Sequence, residues 1–211
     1  MARSALQKAR EAPLSTKARI LTAAEEVFAV KGFAGASTRE IAASAGVNIS
    51  SLHYHWESKE TLYFAVFQNI YDRILELIRT SLPDSTPERP AARPVIDEAM
   101  GSLFDFFADH PNIPKLMVRR LLESSESELE IERNIAIPAW RLFSTWTIHS
   151  GQKLKDLDAQ IFMLTIHAVL LLFLLDSPHF SSLLGGSVRS PELRPRLRSY
   201  IIRLVHKLLA L

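Results

Sequence analysis

Cysteine is absent from the 211 residues, which excludes disulfide frameworks, Cys-ligated zinc, iron–sulfur clusters and thiol catalysis together. Its absence fits a reducing cytoplasm, the expected location. Glycine is scarce at 7 residues, and no alternating strand pattern interrupted by turns is present. The longest apolar run, Ile161 to Leu175, includes Thr165 and His167. It falls short of the roughly 20 residues that a membrane span needs, so it reads as a buried helix, with no membrane partner. The N-terminal MARSALQKAR is charged and no apolar h-region follows it, so a secretory signal is not expected. Motifs of catalysis are missing too. H-E-x-x-H, E-x-x-H, the P-loop and G-x-S-x-G do not occur, which leaves an enzyme as a remote alternative with no catalytic residue or cofactor to name.

A charge excess of one sign is nearly missing, at +2 overall, but its distribution is uneven. Residues 1–60 hold eight basic and six acidic side chains, and the remainder balances at 17 of each. Most of the excess lies in residues 1–19, where five basic residues accompany Glu11 alone. A basic arm beside a compact module is a nucleic-acid footprint, and a solvated tail explains the charge equally well. We divide the chain into a flexible basic arm (1–15), a helix-turn-helix domain (16–62) and a larger C-terminal domain (63–211).

What is present is helical periodicity, and the fold class is all-α. Ile20, Ala24, Val27 and Phe28 share a face of a first helix from Thr16, with Gly32 as its C′ glycine and Phe33 folding back. Ser37-Thr38-Arg39-Glu40 is a capping box for a short helix to Ala45, stopped at Gly46. Asn48 caps a second short helix through Tyr54 and His55. Ser58 caps a long one whose apolar face includes Leu62, Val66, Ile70, Ile74 and Leu77/Ile78. Four prolines between Ser81 and Pro94 predict a loop. Further helices are expected at about 95–109, 113–124, 128–150, 157–175 and 193–211.

Residues 38–57 carry the strongest functional pattern. A helix-turn-helix needs a small residue at the helix crossing, a glycine in the turn and apolar locks on the second helix. Ala42, Gly46 and Leu52 supply these, with Ile41 and Val47 as further inward contacts. Asn48, Ser50, Ser51, His53 and Tyr54 then face outward, where a helix can enter a major groove. Thr38, at a helix N-terminus, is placed to meet a phosphate. Spacing alone leaves an ordinary helical hairpin open.

The contiguous stretch Thr16 to Leu62 resembles the N-terminal domain of the TetR family of bacterial transcriptional regulators. The matching pieces are A-A-x-x-V-F-A-x-K-G-F, S-T-R-E-I-A-x-x-A-G-V and L-x-Y-H-W-x-S-K-E-x-L. The resemblance implies that Thr38, Tyr54 and Lys59 meet phosphates of a double-stranded operator. It places Asn48, Ser50, Ser51, His53 and His55 at or beside the groove. His53 stands where the family usually has Tyr, Trp56 where it usually has Phe, and Ile49 where a basic or polar residue is common. His53 and His55 are not read as a metal site, because i and i+2 side chains on a helix point apart.

For the C-terminal part, the resemblance implies a dimerising domain that often holds an effector. The residues agree: the 161–175 run is apolar nearly all round, and the last helix carries an apolar stripe. Ile161, Leu164, Leu171 and Leu175, with Leu197, Ile201, Leu204 and Leu208, are the expected contacts of a four-helix interface in a homodimer. An effector pocket is expected from Met100, Phe104, Phe107, Met117, Trp140, Phe143, Trp146, Met163 and His167, each of which also suits ordinary core packing. That set favours a small apolar or aromatic molecule. Arg119 and Arg120 are expected to pair with the glutamates of the run 123–132, with binding of an anionic effector as the alternative. Together these features predict a repressor released from its operator by an effector, with an activator or effector-free co-regulator as the alternative.

Overall fold

A computed structural model describes residues 15–81, 93–122, 130–141, 156–176 and 178–209. Every regular element among them is helical, so the all-α expectation holds. The chain divides into two compact units, residues 1–66 and 67–211. The expected arm (1–14 of it) and most of the expected proline-rich loop lie outside the described residues.

In the first unit, α1 (Thr16–Gly35) opens on Ser15, whose hydroxyl accepts from the Ala18 N–H at 3.2 Å. Gly32 takes φ +71° and leaves the helical conformation, as expected of a C′ glycine, and a short helical turn to Gly35 follows beyond this kink. Phe33 folds back as anticipated, its ring 6.3 Å from Phe28 and 5.0 Å from Tyr63. Next come α2 (Thr38–Ser44), α3 (Ile49–His55) and the start of α4 (Lys59–Ser81), whose residues from Phe67 onward belong to the second unit. Ile20, Phe28, Ile41, Leu52 and Leu62 are fully buried and form the centre of this unit.

The second unit holds α5 (Arg93–Asp109), α6 (Asn112–Leu122), α7 (Asp156–Leu174), α8 (Pro178–Leu184) and α9 (Leu193–Leu208). Residues 130–141 are also helical, with a π turn at Glu132–Ala136. Proline misleads the sequence reading here for one reason. Pro94, Pro114, Pro178 and Pro195 each sit in the first turn of a helix, where the missing N–H has no intrahelical acceptor to lose. Hence α5 begins two residues before the expected start, and α8 goes unforeseen.

Polar contacts fasten α9 to α5. Arg194 forms ion pairs with Asp105 at 2.8 Å and Asp109 at 2.6 Å and Arg198 with Asp105 at 2.9 Å, while His206 Nε2 is hydrogen-bonded to Asp97 at 2.5 Å. Gly101 makes room for this seam. A Cβ there would lie 1.9 Å from the Arg198 guanidinium. Asp176, at φ +51° beyond α7, accepts from Ser181 and Ser187 hydroxyls, the Val188 N–H and Arg189. Burial would raise its pKa, but these donors together hold the carboxyl below its ordinary value.

The apolar run corrects one expectation. It is not a buried helix in the single chain. The stretch Leu157–Leu174 is long and apolar enough to cross a membrane by length and composition, and only 28% of it is buried. Leu170, Leu171 and Leu174 face the core, while Leu157, Ile161, Leu164 and Leu172 remain exposed.

Candidate nucleic-acid interface and ligand cavity

The helix-turn-helix is built from local chemistry. Ser37 Oγ accepts from the Glu40 N–H at 3.2 Å, which is one half of the expected capping box. The Glu40 carboxylate itself turns to Lys31, 2.5 Å from its ammonium. That pairing offsets the one acidic group in the first turn of α2, where the helix dipole and free N–H groups favour an anion. Gly46 takes φ +63° in the turn, and the Val47 N–H bonds back to the Ala42 carbonyl at 3.0 Å. Asn48 Oδ1 then accepts from the Ser51 N–H at 2.7 Å and starts α3.

This scaffold decides which side chains face out. Leu52 is fully buried and Trp56 is buried beneath α3, so the expected apolar plug is in place. Asn48, Ser50, His53 and Tyr54 are exposed, and Ser51, His55 and Thr38 are half-buried. Ser50, His53 and Tyr54 follow i, i+3, i+4 spacing and so share one face. Tyr54 is 85% exposed. Its ring meets His55 edge-on at 5.2 Å.

Lys59 is placed differently from the rest. Its ammonium donates to the Phe33 carbonyl at 2.9 Å and the Ala36 carbonyl at 3.1 Å, and it lies 4.4 Å from the Phe33 ring centre. It therefore caps the carbonyl end of α1. Two of its three donors are used there.

The second unit contains a cavity of about 40 Å³. Its walls are Tyr71, Ile74 and Ile78 of α4, Leu103 and Phe107 of α5, Met117 of α6, Trp140, and Met163, Ile166, His167 and Leu170 of α7. Five expected pocket residues meet here: Phe107, Met117, Trp140, Met163 and His167. Phe104 is buried away from it and Met100 is not among its walls, while Phe143 and Trp146 lie outside the described residues. The sequence reading missed the α4 wall. The stripe Ile70, Ile74 and Ile78 was visible, but Tyr71 sits beside it, and only the packing of α4 turns that residue inward. Trp140 and His167 stand edge to face with ring centres 4.5 Å apart. Burial, aided by the Arg120 charge, pushes His167 down to about 4, so its imidazole is neutral at pH 7. Arg120 is 5% exposed and paired with Glu132, as expected of the basic pair and the acidic run.

The expected dimer contacts divide into two groups. Leu171 and Ile201 are buried inside the protomer and have no surface left to offer. Ile161 is 53% exposed, Leu164 60% and Leu208 43%, while Leu175, Leu197 and Leu204 are half-buried. Leu157, Ile161, Leu164 and Leu172 form a continuous apolar stripe at helical spacing.

Comparison with known proteins follows the same lines. Residues 20–66 match the model of the bacterial regulatory proteins, tetR family, N-terminal domain. The HTH-type transcriptional activator FasR of Mycolicibacterium smegmatis is 36% identical over 90 residues, covering 43% of this chain and 39% of that protein. The HTH-type transcriptional dual regulator CecR of Shigella flexneri is 31% identical over 144 residues, covering 62% of this chain and 64% of that one. The chain thus matches less than two thirds of the length of either relative. Among solved structures, a bacterial regulatory protein of the tetR family from Rhodococcus RHA1 shares the fold with a TM-score of 0.67 at 20% identity, over 93% of this chain and 98% of the other.

Proposed function

We propose, from the match of residues 20–66 to the tetR family of bacterial regulatory proteins, that the chain is a cytoplasmic transcriptional regulator that lays α3 in the major groove of a double-stranded operator. The observation that carries this reading is the face of Ser50, His53 and Tyr54, held outward by the buried Leu52 and Trp56. In this reading Ser50, Ser51 and His53 meet base edges, and Asn48 stays close to them while its Oδ1 serves α3 as cap. Tyr54, Thr38 and the third donor of Lys59 hold the frame on phosphates. His55 flanks the groove.

The protein acts as a homodimer joined through the exposed stripe of α7 and the outer face of α9. Two-fold symmetry then sets two recognition helices about 34–36 Å apart, or a multiple of that, and makes the operator a palindrome or near-palindrome. The cavity of the second unit holds a small apolar or aromatic effector. Its binding favours a dimer whose recognition helices no longer match the half-sites, and the operator weakens effector binding by the same factor. In this account the protein is a repressor released by its effector.

Fluorescence anisotropy tests the reading, with duplex from upstream of the gene against a scrambled duplex at the same near-physiological salt. A large preference saturating at one or two dimers per site supports it, and absence of binding even at low salt overturns it. Activation is the second reading, favoured by the name of FasR as a transcriptional activator. Transcription from the target promoter with and without the protein separates the two.

A further inference from the structure

Among the described residues, two buried side-chain atoms lack a hydrogen-bond partner: Tyr71 Oη and Arg120 Nε. Such atoms are rare in folded proteins and call for an explanation. Tyr71 is a cavity wall at 2% exposure. Arg120 is not itself a wall residue, but its charge acts on Tyr71 and His167, which are. The phenol lies near the Arg120 and Trp140 side chains without reaching good hydrogen-bond geometry to either. A phenol O–H can donate to an acceptor inside the cavity. One ligand oxygen there would satisfy it.

Charge decides what kind of oxygen. The Arg120 guanidinium is already neutralised by Glu132. A carboxylate entering here would bury a net negative charge or expel Glu132, and either is expensive. A cation would meet Arg120. The remaining walls are apolar or aromatic, with Ile74, Leu103, Phe107 and Leu170 among them. Size adds a condition. A cavity of about 40 Å³ holds little more than a water or two, so a guest must displace something. Met117 and Met163, unbranched and adaptable, are the wall residues suited to move.

We propose that this cavity takes a mostly apolar molecule bearing one uncharged acceptor oxygen, as in a ketone, ester or amide, which receives a hydrogen bond from Tyr71 Oη. The inference rests on the effector reading above and names the ligand's chemistry. Glu132 opens the π turn of 132–136 and pairs with Arg120, so the charge beside the Tyr71 wall is neutralised before any ligand arrives. A turn of that kind is often found at functional sites.

Methyl-labelled methionine provides the test, because the chain has only 4 methionines and two of them, Met117 and Met163, line the cavity. The full-length protein is titrated with cyclopentanone, with methylcyclopentane and with cyclopentanecarboxylate, and the methyl resonances are followed. Cyclopentanone is expected to shift Met117 and Met163 with an affinity about tenfold above methylcyclopentane, the worth of one good hydrogen bond. The carboxylate is expected to bind weakest. Tyr71→Phe removes an unpaired buried hydroxyl, so it keeps the fold, and it should abolish the preference for the ketone while leaving the hydrocarbon unaffected. Equal affinity for ketone and hydrocarbon overturns the proposal. So does tightest binding by the carboxylate, an unchanged preference in Tyr71→Phe, or no methyl shift with any probe. No DNA is present, so a failure here leaves operator binding standing, and a failure of operator binding leaves this result standing.

Discussion

The Lys59 ammonium sits 2.9 Å from the carbonyl oxygen of Phe33, at the end of α1 whose backbone Gly32 has just kinked. A residue that the family resemblance assigns to phosphate is thus also a tie between α1 and the start of α4. Hydrogen bonds from a charged donor contribute about 1.5–3 kcal/mol. Lys59→Ala should therefore lower stability in urea by an amount in that range, and also reduce the slope of log affinity against log salt by about 1. An unchanged slope with reduced stability would assign Lys59 to the scaffold alone. Unchanged stability would mean that the two carbonyl contacts contribute nothing.

Gly46 offers a cleaner backbone test. A Cβ at this position would meet nothing within 4 Å, so the substitution to alanine has room. Its φ of +63° is the obstacle. Gly46→Ala should cost about 1–2 kcal/mol through the left-handed conformation, and Gly46→Asn less, because Asn tolerates that region. Equal stability of all three proteins, by thermal or urea unfolding, would show that the turn relaxes out of the left-handed region.

The exposed and buried faces of α7 make opposite predictions. Leu164 is 60% exposed and Leu171 is 2% exposed on the same helix. Leu164→Glu should leave the helical circular dichroism intact while shifting the mass in solution from dimer to monomer and weakening operator binding. Leu171→Ala should instead destabilise the protomer by roughly 2–5 kcal/mol, the usual cost of a truncated core leucine. A dimer that survives Leu164→Glu unchanged would remove this stripe from the interface.

These cases also indicate what was legible in the sequence. Ser37, Asn48, Ser58 and Gly46 announce their roles because caps and turns depend on groups within three or four residues, and each is found in that role. Leu52 and Trp56 were legible as inward contacts for the same local reason. The cavity was not. Trp140 and His167 look like any core aromatics until α7 and the segment 130–141 are side by side, and Tyr71 becomes a wall only through the rotation of α4. On α7, an apolar surface nearly all round carries no period, so nothing in it tells Leu164 from Leu171. Asn48 was assigned both to capping and to base reading. The cap bond occupies its oxygen and leaves the amide N–H₂ for any outside contact.

His167 provides the last prediction, because its sign is fixed by burial. Removal from water, with the Arg120 charge second, lowers its pKa from 6.5 to about 4 in the folded chain. In the unfolded chain the imidazole regains its ordinary value near 6.5. Between these values the unfolded state binds a proton that the folded state refuses, so stability is full above about pH 6.5 and falls as the pH drops toward 4. Below 4 both states are protonated and this contribution has gone. The total is on the order of 3 kcal/mol. Asp109 and Asp176, whose carboxyls are held below their ordinary value, act at lower pH and in the same direction. Comparing wild type with His167→Gln isolates the imidazole. The variant's stability should be flatter between pH 4 and 6.5, with the difference closing below 4. Parallel curves across that window would mean that His167 takes up its proton in the folded state as readily as in the unfolded one.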